Sequence, residues 1–375
     1  MTLIFWVSLT VLIYIYIGYP LLVWICARVW GRLPQRSSIL PLVSLVIPAY
    51  NEALYIEGKL RNSLNLDYPK DRLEVVVASD GSTDETEAIV KRFRPFGVRL
   101  VSMVQNIGKS AMLNRVMGFL SGEIVVFSDA STELAANAIR FLMRSFADPK
   151  VGCVSGKYHL KQVKDLRSQG EGLYWRYETF IKEQESRLHS ILGAHGACYA
   201  IRKRLFQPLE NASINDDYLI PMRIVAQGYR AVYEPEAMAW EEESTSMEGE
   251  FSRRRRIAAG NCQQIVALRS LLSLRHGWVV FCFFSHKVLR SFAPVFLGIL
   301  ILSSFGLPNP WRFLSLAFQS LFYASAWVGY YCQKRGYPVK WLSPSLYFCL
   351  GNLATLAGLI RYFLGRKRLI WERAR

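Results

Sequence analysis

Seven cysteines, at positions 26, 153, 198, 262, 282, 332 and 349, never fall into CxxC spacing, and only five histidines accompany them. The pattern excludes a CxxC zinc or redox motif and suggests no disulfide framework. Neither an internal repeat nor a low-complexity tract is present, so the chain is not a repeat array. Acidic residues are scarce: 29 Asp and Glu face 46 Lys and Arg, a net charge of +17. The basic residues cluster beside apolar runs and in one arginine run, not along a recognised binding module, which argues against nucleic acid as the partner. Charge is missing altogether from residues 1–27, 291–311, 313–333 and 341–360. Each of these stretches is about the ~20 residues that a helix needs to cross a bilayer core.

Those runs reconcile a hydrophobic content of 51% and a mean hydropathy of +0.15 with the strong positive charge. The first run has no basic flank at its start and carries Tyr14, Tyr16, Tyr19 and Pro20, so it reads as a retained membrane helix over 1–27, not a cleaved signal. Arg28, Arg32 and Arg36 follow it, which places the middle of the chain in the cytoplasm. About three hydrophobic segments fill 291–364. Gly351, Asn352 and Gly358 interrupt the last one and Arg366-Lys367-Arg368 follow it, so one C-terminal segment is open to a re-entrant or interfacial reading and the tail leans to the cytoplasmic side. Residues 248–290 read as a basic amphipathic interfacial segment.

Residues 40–247 read as an α/β domain. Strand-like runs at 43–48, 73–78, 99–104 and 123–128 alternate with helical patterns at about 53–64, 84–93, 109–120 and 133–146, which predicts a mostly parallel sheet with helices on its faces. Asp80 and Asp129 stand at the C-terminal ends of predicted strands, where open α/β sheets bind ligands. Asp217 opens a helical pattern over 218–227. Each of these aspartates also fits a turn or helix-cap role when taken alone.

The ordered motifs are Val43-Ser-Leu-Val-Ile-Pro48-Ala-Tyr50-Asn-Glu52, Ser79-Asp-Gly-Ser82-Thr-Asp84, Asn106-Ile-Gly-Lys109 with Asn114, and Asp129-Ala-Ser131. Further along come Gly193-Ala-His195-Gly196 with Arg202, Asp216-Asp217 and Arg253-Arg-Arg-Arg256. Together they resemble the membrane-embedded family 2 glycosyltransferases, the group of the cellulose, chitin-oligosaccharide and poly-N-acetylglucosamine synthases. The resemblance implies a GT-A-like, Rossmann-like cytoplasmic domain on transmembrane helices. It implies that Pro48, Tyr50, Glu52, Asp80, Ser82, Lys109 and Asp129 bind the nucleotide-sugar, and that Asp129 and Ser131 occupy the DxD position that holds Mg²⁺ or Mn²⁺. Asp217 takes the place of the general base, Arg256 that of the leaving-group arginine. His195, Gly196, Asp216 and Arg253 fall in the acceptor region, where His195 also reads as a satisfied core histidine.

Three departures matter. Ser131 replaces the second metal carboxylate, so a Ser131→Asp variant is expected to need less metal. Asn215 stands where the TED motif has Thr. Within QxxRW, Arg253 replaces Gln and Ile257 replaces Trp, and an isoleucine cannot offer a pyranose ring a flat stacking face. The expected activity is therefore inverting transfer from a nucleotide-sugar, a UDP-sugar by preference, to a saccharide acceptor in exopolysaccharide or oligosaccharide synthesis, with weak processivity. The alternatives are transfer of one sugar to a polyprenyl phosphate or other lipid, and a non-catalytic scaffold of a polysaccharide export complex. Implied partners are the donor, a saccharide or lipid-linked acceptor, membrane lipids and export proteins. The expected location is the bacterial inner membrane.

Overall fold

The computed structural model describes residues 1–161, 168–210, 213–242, 247–337 and 339–364. Eight strands form one sheet: β1 Val43–Ala49, β2 Leu73–Ser79, β3 Val98–Ser102, β4 Ile124–Phe127, β5 Glu133–Leu134, β6 Val151–Lys161, β7 Tyr199–Arg202 and β8 Arg230–Glu242, in the order β3-β2-β1-β4-β7-β6-β8-β5. The first four pair in parallel; β1, β4 and the Val75–Ala78 stretch of β2 carry the unbroken apolar runs of strands covered on both faces, and β3 is the partly exposed edge strand. All residues of β1 and β4 are buried, and each fully buried Val, Leu or Ile contributes about 1.5–3 kcal/mol. The other half is mixed, since β7 runs antiparallel to both β4 and β6, and β5 runs antiparallel to β8. Pro48 sits in β1 beyond the reach of β4, whose ladder ends at Val46, so its missing N–H leaves no partner bare there.

The expected helices at 53–64, 84–93 and 109–120 are found at Ala53–Leu64, Thr86–Arg92 and Lys109–Val116. The fourth is shorter than its pattern. Glu133 and Leu134 form β5 against Trp240 and Ala239, and the helix starts only at Ala138.

Helix Thr2–Trp30 and the segment Lys340–Phe363 are each long and apolar enough to cross a membrane. Helix Ala293–Ser304 is too short alone, at about 18 Å, but it continues Trp278–Leu289 through a 57° bend. That bent pair runs antiparallel to the N-terminal helix. The hydroxyls of Tyr14 and Ser285 meet at 2.7 Å, and at the far end Gly306 packs on Met1. Helix Trp311–Lys334 has the length of a span, but its composition is less apolar than that of the other two helices. The last helix, Ser343–Phe363, returns toward the α/β domain: its Phe348 meets Tyr16 and its Gly358 meets Ala258. The tail arginines at 366 and 368 lie outside the described residues.

The apolar core does not stop at the α/β domain. One cluster runs from Val46, Phe127 and Tyr199 to Tyr19, Val23 and Ala27 of the first helix and to Phe283 of the bent pair. Polar contacts lock the same seam. Glu185, on the long helix Ser168–Leu188, accepts from the Tyr19 hydroxyl and meets His286 Nδ1, each at 2.6 Å, and Glu178 pairs with Arg290 at 2.6 Å. Pro20 cannot donate to the carbonyl of Tyr16, four residues earlier, and the Tyr177 hydroxyl donates to that oxygen instead at 3.1 Å.

Candidate active site

Two loops that leave the C-terminal ends of β1 and β2 are sewn together by short side chains. Asn51, at φ 56°, occupies the left-handed region that asparagine tolerates better than most residues. Its backbone N–H donates to Ser82 Oγ at 3.1 Å while its side-chain oxygen accepts from Thr83 N–H at 2.8 Å. The N–H of Glu52 reaches Thr86 Oγ1 at 2.8 Å. Tyr50, Glu52 and Ser82 thus share one wall at the sheet edge.

Asp80 is fully buried, and each of its oxygens accepts a backbone N–H at 2.9 Å, from Ile107 and from Gly108. Burial pushes its carboxyl up against the opposing effect of those two bonds. In this geometry Asp80 clamps the 106–109 loop. The clamp aims Lys109, the first residue of its helix, at the next aspartates. Lys109 Nζ lies 3.4 Å from Asp129 Oδ1 and 3.2 Å from Asp216 Oδ1. Burial opposes its charge, but Asp129, Asp216 and Asp217 together outweigh burial and hold the ammonium well above its usual range. The Asp129 carboxyl is lowered for the reciprocal reason, as Lys109 overcomes its burial.

Asp217 completes the cluster from the first turn of helix Asp216–Ala226. Its Oδ2 accepts the Gly196 N–H at 3.1 Å. Burial, and then the neighbouring Asp216 charge, push the Asp217 carboxyl up to about 6, although Lys109 and Lys182 pull the other way. Gly196 stands between the two aspartates, because a Cβ there would lie 2.9 Å from Asp129 Oδ2. A side chain at 196 would force the Asp129 carboxylate to shift.

His195 is stacked on Tyr158 at 3.9 Å between ring centroids, with the edge of Trp175 at 5.3 Å. Burial and then Lys182 push its imidazole down to about 3, so it is neutral at pH 7. Nδ1 accepts the Ala197 N–H at 3.2 Å, which leaves the ring proton on Nε2. These rings and Lys182 line a cavity of about 10 Å³, room for roughly one water. Arg253 lies close enough for its charge to act on His195.

Arg256 sits on helix Met247–Ala267, one turn before Gly260, and Gly260 is pressed against the Asn215 side chain. Asn215 Nδ2 in turn donates to the Ile257 carbonyl at 3.2 Å. Asn at 215 therefore ties the loop before Asp217 to the arginine helix. The Arg256 Nε is buried and without a hydrogen-bond partner, a donor available to an anion. Ile257 is 38% exposed.

The Ser131 hydroxyl donates to Glu241 Oε1 at 2.7 Å. Sequence reasoning passed over Glu241, Lys182 and Lys59. Lys59 is buried beneath the site, where its Nζ donates to Ser128 Oγ at 2.6 Å and to the Thr132 carbonyl at 2.8 Å. Burial pushes Lys59 down to about 8 even though Asp129, Glu133 and Glu241 support its charge. A lysine inside an otherwise apolar helix stripe at Ile56 and Leu60 is the signal that marks it.

Residues 41–260 match the family described as "Glycosyltransferase like family 2". The chain is 29% identical over 252 residues to a probable glycosyltransferase, YdaM, of Bacillus subtilis, an alignment covering 63% of this chain and 59% of the relative. It is 26% identical over 237 residues to a poly-beta-1,6-N-acetyl-D-glucosamine synthase of Staphylococcus aureus, over 62% and 57% of the two chains. It thus spans less than two thirds of the length of these curated relatives. A mannosyltransferase from Pyrobaculum calidifontis, solved with GDP-Man and Mn²⁺, superimposes with a TM-score of 0.75 at 24% identity, covering 97% of this chain and 99% of that one. The last likeness is one of fold.

Proposed function

The chain belongs to glycosyltransferase family 2, and from that premise we propose that it moves a sugar from a nucleotide-sugar to an acceptor hydroxyl with inversion at C1. The observation that carries this reading is Asp217, a half-buried carboxyl that accepts the Gly196 N–H within the cluster of Asp129, Lys109 and Asp216 and is pushed up to about 6 there. A base of that strength is charged at neutral pH yet close enough to neutrality to take a proton efficiently.

Asp217 accepts the proton of the acceptor hydroxyl as its oxygen attacks C1 from the face opposite the nucleotide. Gly196 N–H holds Asp217 Oδ2 in place, so the other oxygen is the one that faces the acceptor. Lys109 meets the negative charge that gathers on the departing diphosphate, and Arg256, one helical turn from the Asn215 contact, adds a second cation. The neutral His195, fixed between Tyr158 and Trp175, presents Nε2–H to the acceptor side.

A divalent cation fits this donor set. Asp129 offers hard oxygen, the space beside its Oδ2 is kept clear by the missing Cβ of Gly196, and Mg²⁺ sites commonly use one or two carboxylates plus substrate phosphates. Among the described residues no three His, Cys, Asp or Glu side chains are arranged to hold a metal ion by themselves. Charge neutralisation at the diphosphate is the chemistry that bound Mg²⁺ or Mn²⁺ supplies.

A UDP-sugar donor and a short exopolysaccharide or oligosaccharide product follow from the motif set, and the similarity to a poly-N-acetylglucosamine synthase supports them. A second reading, one sugar added to a lipid-linked acceptor, is favoured by Ile257 at the platform position and by the contact of the catalytic loop with the arginine helix. The domain is proposed to face the cytoplasm of a bacterial inner membrane. Incubation of the purified protein with UDP- and GDP-sugars, followed by mass spectrometry, tests the reading. Release of nucleoside diphosphate is expected with one donor class; none released with any donor or acceptor, while nucleotide still binds, would favour a scaffold.

A further inference from the structure

Replacement of the second metal carboxylate by Ser131 leaves the site one negative charge short, yet the structure brings a distant acid to that place. The β5–β8 ladder pairs Glu133 with Trp240 and Leu134 with Ala239. Continued by one step it sets Glu241 beside Thr132, where the Asp129–Ser131 turn arrives. The Glu241 carboxylate is held at both ends: Oε1 accepts the Ser131 hydroxyl at 2.7 Å, and Oε2 accepts the Tyr158 hydroxyl at 3.3 Å. Tyr158 is the same ring that stacks on His195. Asp129 and Glu241 also both act on the Lys59 ammonium beneath them, so the two carboxylates share one neighbourhood. Three elements far apart in the chain thus place a carboxylate oxygen within hydrogen-bond reach of the side chain that would otherwise have carried it.

We infer that Glu241 supplies the second carboxylate for the divalent cation that accompanies the nucleotide, with Ser131 and Tyr158 orienting it. This rests on the proposed nucleotide-sugar reading and adds a residue to it. The donor set becomes Asp129 and Glu241, all oxygen, with the remaining positions left to phosphate and water, the composition that suits Mg²⁺ or Mn²⁺. It also reverses the expectation for Ser131→Asp. An aspartate there would push its carboxylate into Glu241, two like charges in one place, so the single variant should bind metal worse, not better. Moving the charge across, in Ser131→Asp with Glu241→Gln, should restore binding.

The test is Mn²⁺ binding to the full-length protein in detergent, read by electron paramagnetic resonance with UDP or GDP present and absent, beside calorimetry of the nucleotide in chelator. Glu241→Gln keeps the hydrogen-bonding shape and loses the charge. It should weaken nucleotide-dependent Mn²⁺ binding by about tenfold or more and leave metal-free nucleotide binding unchanged. Ser131→Asp alone should do the same, and the double variant should recover most of the loss. If Glu241 merely anchored the turn, Glu241→Gln would bind Mn²⁺ like the wild type, which overturns the inference and leaves the glycosyltransferase reading intact. Wild-type protein that takes up nucleotide and no Mn²⁺ would overturn the metal reading and the inference with it. A double variant no better than either single one would also count against it, provided its thermal unfolding midpoint matches the wild type.

Discussion

Asp217 is the proposed base and Gly196 N–H holds its Oδ2, so substitutions at the two should fail differently. Asp217→Asn keeps the shape and the oxygen that can accept the Gly196 N–H but cannot take a proton, so kcat should fall by roughly 10²–10⁴ while nucleotide binding, measured by calorimetry, persists. Turnover near the wild-type rate would instead leave Asp217 only its contact with Gly196 N–H. With the wild type, protonation below the raised value of about 6 removes the base. The log of kcat/KM should therefore rise with unit slope at acid pH and level off above about 6. Gly196→Ala places a carbon 2.9 Å from Asp129 Oδ2, so it should weaken nucleotide and metal binding together while Asp217 stays intact. Part of this was legible from residue types alone. Lys109, Asp129 and Asp217 meet as their motif order implied, because each sits at a strand end or helix start that apolar patterning locates. Asp80 was legible as a site residue but not as a clamp on Ile107 and Gly108, since nothing in the sequence says which backbone a buried carboxylate will find. Glu241 was hidden for a different reason: it lies 110 residues from Ser131, and only the pairing of β5 with β8 brings the two together.

Helix Met247–Ala267 is the element on which the site turns. One point of it, Gly260, abuts Asn215, and a Cβ there would lie 2.5 Å from the asparagine amide nitrogen. Another, Ala258 with the Arg255 carbonyl, abuts Gly358 of the last helix at 2.6 and 2.8 Å from a built Cβ. Overpacking of such contacts costs about 1–3 kcal/mol, so Gly260→Val should displace the loop that holds Asp217 and lower kcat more than it lowers donor affinity. Unchanged kcat in that variant would show that the loop is held from elsewhere. On the same helix, Ile257→Trp should lengthen the products seen by mass spectrometry if the exposed position can receive a sugar ring; unaltered length would pass the platform role to Trp175, already beside His195. The sequence pattern assigns this helix to a basic amphipathic interfacial segment over 248–290. Its two close contacts were not visible there because small residues give no periodic signal. The covered strands β1, β2 and β4 were legible from their continuous apolar runs, whereas β5 with two residues and β7 with four are defined by their neighbours.

At the scale of the molecule, the antiparallel course of the bent pair and the return of the last helix bring Gly358 back to Ala258, on the side of the proposed membrane where the α/β domain lies. From Arg28, Arg32 and Arg36 we propose that this side is the cytoplasm. A cysteine in place of Lys70 should resist impermeant thiol reagents in intact cells and react after lysis, and a reporter fused after Arg375 should be cytoplasmic; labelling from outside, or an external reporter, would reverse the topology. The shared core has one more consequence. A chain begun at Leu40 would look like a whole catalytic domain by its motifs, yet it would lose Tyr19, Val23 and Ala27 from the core and leave Glu185, fully buried, without the Tyr19 hydroxyl. Such a fragment is a truncation through the hydrophobic interior, not the release of a module. Neither evolution by domain shuffling nor an expression strategy that trims the membrane helices can treat catalysis and anchorage in this protein as separable parts.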